Sequence, residues 1–307
     1  MRTIGSAAVA ALSLLAVGAI AAQPLPPAPQ SQSELQSVTV EGRRERATLE
    51  RRVKTFVSSI TTAPYQESLA QWQKEIPICP EVSGLPYEDG EYVLARLSQI
   101  ARDAGASLAG EVCSVNLRVV VTSVPDELAA EWSKRSPAMF GDASTSKLRQ
   151  FLHTTAPVRV WYNTSLFTGN GLPCRVILND ALPYCEQDAE TAQVRIAALR
   201  DFFSVIVVVD ANKIKGISMG QLAGYIGMIG LAEIRIDAKL GDAPTILRLF
   251  TDPANAPPLG LSSWDEAYLK ALYHTQHDDR TQLLAIKTSI INEVTQPAGG
   301  NGDGDRK

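Results

Sequence analysis

Residues 218–234 read SMGQLAGYIGMIGLAEI, the most apolar long stretch of the chain outside its N-terminal region. The stretch begins like a helix. Ser218 stands at the N-cap and Gln221 follows three residues later, which is the spacing of a capping box. Ile217 and Leu222 flank this start at the positions of a hydrophobic staple. The sequence therefore predicts a helix whose N-cap is Ser218.

This predicted helix carries four interior glycines at positions 220, 224, 227 and 230. Each costs about 1 kcal/mol relative to alanine, so we expect neighbouring segments to approach the helix closely. A membrane span is the alternative. Gln221 and the glycines interrupt the apolar run, and Glu233, Arg235 and Asp237 follow it closely, which disfavours a span. We expect a core helix and no membrane span in the mature chain.

The N-terminal residues have the pattern of a secretory signal peptide. Arg2 supplies one early positive charge, residues 4–20 are uncharged and apolar, and residues 19–21 form a small-x-small site. This pattern predicts a signal peptide over residues 1–22, cleaved after Ala21 or Ala22, and a periplasmic or secreted protein. An uncleaved anchor is the alternative.

The two ends of the mature chain differ in composition from its middle. Residues 23–36 are rich in Pro, Gln and Ser, and residues 296–307 read QPAGGNGDGDRK. Such segments have too few large apolar residues to bury. We therefore expect a flexible leader over residues 23–45, a single domain or two closely packed lobes over residues 46–295, and a disordered tail over residues 296–307.

Helices and strands alternate irregularly along the middle of the chain, which indicates an α+β fold with a twisted mixed sheet packed on helices. Residues 202–209 read FFSVIVVV, without polar alternation, and predict a strand buried on both faces. Other predicted strands are 116–122, 158–164 and 194–199, and the other predicted helices are 46–59, 65–74, 89–105, 125–132, 146–152, 263–275 and 280–294. Residues 46–125 thus form a mainly helical N-terminal part.

Four cysteines, Cys79, Cys113, Cys174 and Cys185, follow the predicted signal peptide. An even number in an exported chain favours two disulfides, for which three connectivities exist. We prefer the local pairs Cys79–Cys113 and Cys174–Cys185, since each pair brackets one supersecondary unit.

Charged residues give little indication of a ligand. The net charge is −4 and the positive charges are scattered, so no nucleic-acid partner is expected. Asp265 and Glu266 are neighbours, but adjacent helical residues point apart, and a solvated face accounts for them. Trp161 and Tyr162 are neighbours in a predicted strand, and core packing accounts for them.

The histidines His274 and His277 lie three residues apart beside Asp278 and Asp279. Such residues can form a metal or acid–base site. However, His274 falls in the last turn of a predicted helix, where a cation suits the helix dipole, and Asp279 is a plausible N-cap of the next helix. We favour a structural interpretation.

The C-terminal half, over about residues 158–291, resembles an uncharacterised family of exported bacterial proteins with a zincin-like, metalloprotease-related fold. The residues that carry this resemblance are GQLA at 220–223 with Tyr225 and Met228, SWD at 263–265 and ALY at 271–273. The resemblance implies a zincin-like part over residues 150–295.

Active zincins carry a His-Glu-x-x-His motif on the helix that binds zinc. Here Gln221, Leu222 and Tyr225 stand where the first histidine, the glutamate and the second histidine would be. The resemblance therefore implies a zincin-like scaffold with degenerate zinc-helix positions and without zinc or another cofactor.

These observations favour a non-catalytic exported protein that acts by binding or in the cell envelope, with an envelope protein as the candidate partner. The alternative is a hydrolase with a non-standard site near His274 and His277.

Overall fold

The computed structural model describes residues 32–62, 69–141, 145–167, 175–179, 182–186, 196–197, 199–235, 237–251, 258–275 and 279–296. The chain divides into two units, residues 1–45 and residues 46–307. The helices are α1 Gln32–Ile60, α2 Tyr87–Ala104, α3 Pro125–Arg135, α4 Thr145–His153, α5 Met219–Leu231, α6 Ser263–His274 and α7 Asp279–Thr295. Two 3-10 helices span Pro137–Phe140 and Ile246–Phe250.

The strands form two sheets. They are β1 Pro80–Ser83, β2 Leu117–Thr122, β3 Val158–Phe167, β4 Arg175–Asn179, β5 Leu182–Glu186, β6 Ile196–Ala197 and β7 Leu199–Asp210. The larger sheet has the order β1-β2-β7-β3, in which the first three strands are parallel and β3 is antiparallel to β7. Strands β4, β5 and β6 form an antiparallel sheet. The predicted α+β fold with a mixed sheet is confirmed.

Strand β7 is buried on both faces, as its apolar run predicts. Val205, Val207 and Val209 belong to the main core, whereas Ile206 and Val208 pack in a second cluster with aromatic side chains of α4 and the first 3-10 helix. The exception is Phe203, which is 61% exposed. The register between β3 and β7 shifts beside it, between Asn163 and Thr164. Such a bulge leaves one residue without a partner and changes the direction of its side chain.

Helix α5 lies in the main core and begins as predicted. The Ser218 hydroxyl accepts a hydrogen bond from Gln221 N, and the Gln221 side chain accepts one from Ser218 N. The helix ends at Leu231, three residues before the predicted end. Its glycines meet close neighbours: Gly227 contacts the Ile100 side chain of α2, and Gly230 contacts Leu117 of β2.

One predicted helix and several predicted boundaries are wrong. Residues 69–74 are not helical, although a helix is predicted over residues 65–74; Gln71 instead forms a parallel bridge with Asp201 of β7. Helix α1 begins at Gln32 rather than residue 46, so the described part of the predicted leader is helical, because its residues include no proline and many helix formers. Helix α2 starts at Tyr87, which places the predicted N-cap Asp89 in its first turn.

One disulfide is confirmed. Cys79 and Cys113 are bonded, with their Cα atoms 6.0 Å apart. Cys174 lies outside the described residues, as do residues 1–31 and 297–307, so the second disulfide and the signal peptide stay predictions. In the described part of the chain, no helix combines the length and the apolar character needed to cross a membrane.

Candidate functional site

The three residues that the resemblance places at zinc-helix positions serve capping and packing. Gln221 closes the capping box, and its Nε2 also donates to the Pro258 carbonyl at 3.2 Å. Leu222 is fully buried in the main core. Tyr225 is 6% exposed and packs edge-on against Phe250, with ring centroids 4.8 Å apart. Burial raises the pKa of Tyr225 to about 12.

A loop before α6 lies directly on the N-terminal half of α5. A Cβ atom at Gly224 would stand 2.9 Å from Leu261 N and 3.0 Å from Gly260 C. A Cβ atom at Gly220 would stand 3.2 Å from Leu259 O. Backbone thus packs on backbone over this face of α5, and the face is closed by residues 259–261.

The structure places His274 at the exposed C-terminal end of α6. Its Nδ1 lies 2.8 Å from Lys270 O, and its ring packs against Gly105, which ends α2 in the left-handed conformation. His277 and Asp278 lie outside the described residues. Among the described residues, no three His, Cys, Asp or Glu side chains are grouped to hold a metal ion.

Asp265 is not part of a solvated face, contrary to the prediction. Its side chain is fully buried, whereas Glu266 is exposed. The carboxylate accepts hydrogen bonds from the Thr245 hydroxyl, Ile246 N, Ser262 N and the Ser262 hydroxyl, at 2.5 to 2.9 Å. Burial raises the pKa of Asp265, although these hydrogen bonds oppose the shift. Asp265 therefore joins the second 3-10 helix to the start of α6.

A polar cleft that the sequence analysis missed lies beside the C-terminal end of α5. Arg200 at the start of β7 forms a two-point ion pair with Glu233, and their side chains are only 13% and 14% exposed. In this pair, Arg200 Nη2 lies 3.0 Å from Glu233 Oε1. The cleft is too narrow to admit a water molecule and is lined by Thr62, Leu69, Ala70, Arg200, Ala232, Glu233, Tyr268 and Leu272.

Buried amides and a carboxylate lie close to this cleft. Asp201 is fully buried, and Gln73 Nε2 donates to its Oδ2 atom. Gln282 of α7 is also fully buried and accepts a hydrogen bond from Leu69 N at 2.9 Å. Gln73 Oε1 and Gln282 Nε2 find no hydrogen-bond partner in the structure. These groups and the Arg200–Glu233 pair form a polar region inside the fold that has no open cavity beside it.

Two half-buried tyrosines bind the last turn of α5 beside the cleft. The Tyr162 hydroxyl donates to Ile229 O at 2.9 Å, and the Tyr273 hydroxyl donates to Leu231 O at 2.6 Å. Burial raises the pKa of Tyr162 and of Tyr273 well above the usual value. Both phenols are therefore neutral hydrogen-bond donors at neutral pH, and they position the chain that leads to Glu233.

The sequence contains one signal for this region. Gln71-Trp72-Gln73 alternates polar and apolar residues with a period of two, which is typical of an extended segment. In the structure Trp72 is buried and both glutamines are at least nine-tenths buried. The helix predicted over residues 65–74 gives no reason to expect Gln73 beside Asp201.

The chain matches no protein-family model, no curated protein and no solved structure. Its zincin-like character therefore stays a prediction from the resemblance of residues 158–291.

Proposed function

We propose that this protein is an exported, non-catalytic binding protein on a zincin-like scaffold without zinc. One observation carries the proposal. At the positions where the zinc motif would stand, Gln221 caps helix α5, and Leu222 and Tyr225 pack in the core. A metal ligand needs an atom directed into an open site, whereas residues 259–261 cover the adjacent face of α5.

The surface at the Arg200–Glu233 pair is the proposed binding site. The two side chains are 13% and 14% exposed, so part of each charge reaches the surface. The cleft beneath them has no room for a water molecule, so a partner would contact the pair from outside. A polar side chain or a loop of an envelope protein suits this site, because charged pairs that are partly desolvated provide orientation and specificity.

Metal analysis of the purified mature protein tests the absence of zinc. We expect less than stoichiometric zinc, and the same midpoint of thermal unfolding with and without a chelator. One zinc per chain that is lost on His274→Ala or His277→Ala would overturn the proposal in favour of the hydrolase alternative. His153→Ala is the matched control, since that histidine lies at the end of α4.

Export is tested by determining the N-terminus of the protein from an envelope fraction. We expect it to begin at Ala22 or Gln23, because cleavage follows the small-x-small site. Recovery of the chain from the cytoplasm with Met1 or Arg2 at its N-terminus contradicts export.

Binding at the cleft is tested with tagged wild-type protein and a Glu233→Gln variant. The variant keeps the shape of the side chain but removes its charge. We expect the wild type to bind a defined envelope protein saturably, and we expect Glu233→Gln to weaken this binding. Glu266→Gln, which changes an exposed residue, is the control and should leave the binding unchanged. Equal binding by both variants and the wild type contradicts a role for the cleft.

A further inference from the structure

We propose that the Cys79–Cys113 disulfide is exchangeable, and that Cys113 is the residue that forms the mixed disulfide with a dithiol protein of the thioredoxin type. The two halves of the bond differ sharply in exposure. Cys79 is 4% exposed and directly precedes β1, whereas Cys113 is exposed in the loop between α2 and β2. Thiol–disulfide exchange requires access to the sulfur that is attacked.

The loop around Cys113 offers an apolar contact to such a partner. Val112 is fully exposed and Val115 is 37% exposed, and both lie within two residues of Cys113. Both valines are available for contact with a partner whose thiol approaches the neighbouring Cys113. A partner with an apolar surface around its reactive thiol would bury both valines while its sulfur approaches Cys113.

The chain on both sides of the loop is held without the disulfide. Ile78 N donates to Ser107 O at 2.8 Å, and Ala109 N donates to Ile78 O at 2.9 Å. At the other end, Cys79 N donates to Asn116 Oδ1 at 2.8 Å, and Asn116 Nδ2 donates to Pro77 O at 3.0 Å. Opening the bond therefore releases residues 110–115 while the ends of this loop stay in place. The protein can be reduced and reoxidised in its folded state.

The exchange is a two-electron transfer in two steps. A thiolate of the partner attacks Cys113 Sγ, the disulfide breaks, and Cys79 Sγ leaves as a thiolate that takes a proton from water. The second thiol of the partner, after losing its proton, then attacks the partner's own sulfur in the mixed disulfide and releases Cys113 as a thiolate. The partner is oxidised to a disulfide and this protein is reduced to a dithiol; the reverse sequence reoxidises it.

Peptide mapping after brief exposure of the folded mature protein to reduced glutathione tests the site of attack. Acid quenching preserves mixed disulfides. We expect glutathione on Cys113, with Cys79 as a free thiol. Glutathione mainly on Cys79, or reduction that occurs only after denaturant is added, overturns the proposal. Peptides with Cys174 or Cys185 are scored separately.

Rates of reduction by thioredoxin test the docking contact. A Val112→Asp, Val115→Asp variant should be reduced more slowly by thioredoxin and at an unchanged rate by glutathione, because only the protein dithiol contacts the valines. Val124→Asp, which changes another exposed valine at the opposite end of β2, is the control. Equal thioredoxin rates for the wild type and the double variant contradict the proposed contact.

Discussion

Asp265 binds the hydroxyl of Thr245, with 2.5 Å between Oδ1 and Oγ1, although the two residues lie twenty positions apart. The same carboxylate accepts the N–H groups of Ile246 and Ser262. It therefore accepts hydrogen bonds from backbone N–H groups at the starts of two helical segments, the second 3-10 helix and α6. This contact also explains why a carboxylate can be fully buried: its oxygen atoms are surrounded by donors.

Replacing Asp265 by alanine should lower the free energy of unfolding by about 3–5 kcal/mol, since two buried backbone N–H groups lose their acceptor. Asp265→Asn should cost less, because an amide oxygen still accepts from both. Urea unfolding of purified variants measures both effects.

Glu266→Ala is the matched control, because Glu266 is the exposed neighbour on the same helix. It should change stability by no more than about 0.5 kcal/mol. A similar loss for Asp265→Ala and Glu266→Ala would show that the buried hydrogen bonds of Asp265 contribute nothing to stability.

The stability that wild-type Asp265 contributes should fall as pH rises. Burial raises the pKa of this carboxyl in the folded state, so the folded protein holds the proton more tightly than the unfolded chain. The contribution is fully present below the unfolded pKa, about 4, and is lost as pH rises through the folded pKa. The difference in unfolding free energy between wild type and Asp265→Asn, measured across pH 3–8, should decrease with pH.

Asp210 should show the opposite dependence. Desolvation disfavours its ionised form, but hydrogen bonds from Asn212 and the ammonium group of Lys213 outweigh this effect and lower the pKa of Asp210. Its contribution is present above the unfolded pKa and is lost as pH falls through the folded pKa. The unfolding free-energy difference between wild type and Asp210→Asn should therefore increase with pH. Slopes of the same sign for both residues would refute this assignment.

Gly224→Ala should destabilise the protein by about 1–3 kcal/mol, because the new Cβ atom would overlap the backbone of Gly260 and Leu261. Gly90→Ala is the control in α2, where a new Cβ atom would stand 4.0 Å from Leu85 Cβ. That substitution should raise stability by up to about 1 kcal/mol through helix propensity. Thermal or urea unfolding measures both, and equal effects would contradict close packing at Gly224.

Arg159→Met should lower the free energy of unfolding by about 2–4 kcal/mol, since it leaves carbonyl groups at the end of α4 without donors. The Arg159 guanidinium is 4% exposed and donates to the carbonyls of Phe151, Leu152 and Thr154. Arg149→Met, at an exposed position of α4, is the control in the same urea measurement. A loss no larger than that of the control would show that these hydrogen bonds add no net stability.

Features that depend on neighbouring residues were predictable. The capping box of α5 needs only Ser218 and Gln221, three residues apart. The left-handed end of α2 needs only Gly105. The burial of β7 follows from its apolar run, which lacks the alternating polar residues of a strand with one solvated face.

The polar contacts of the core were not predictable in this way. Asp265 meets donors from another segment, and Gln73 meets Asp201 across 128 positions. A polar residue that finds partners inside the fold has the same sequence pattern as one that is solvated. Likewise, the segment around Gln71 pairs with Asp201 of β7, against a sequence pattern interpreted as helical.

By itself, the sequence determined the start of the central helix and the buried strand, because these depend on side-chain chemistry and short-range spacing. Only the tertiary structure decided where Asp265, Asp201 and Glu233 lie and which half of the Cys79–Cys113 bond is exposed. Burial and pairing across the chain arise when distant segments pack together, and no local pattern specifies them.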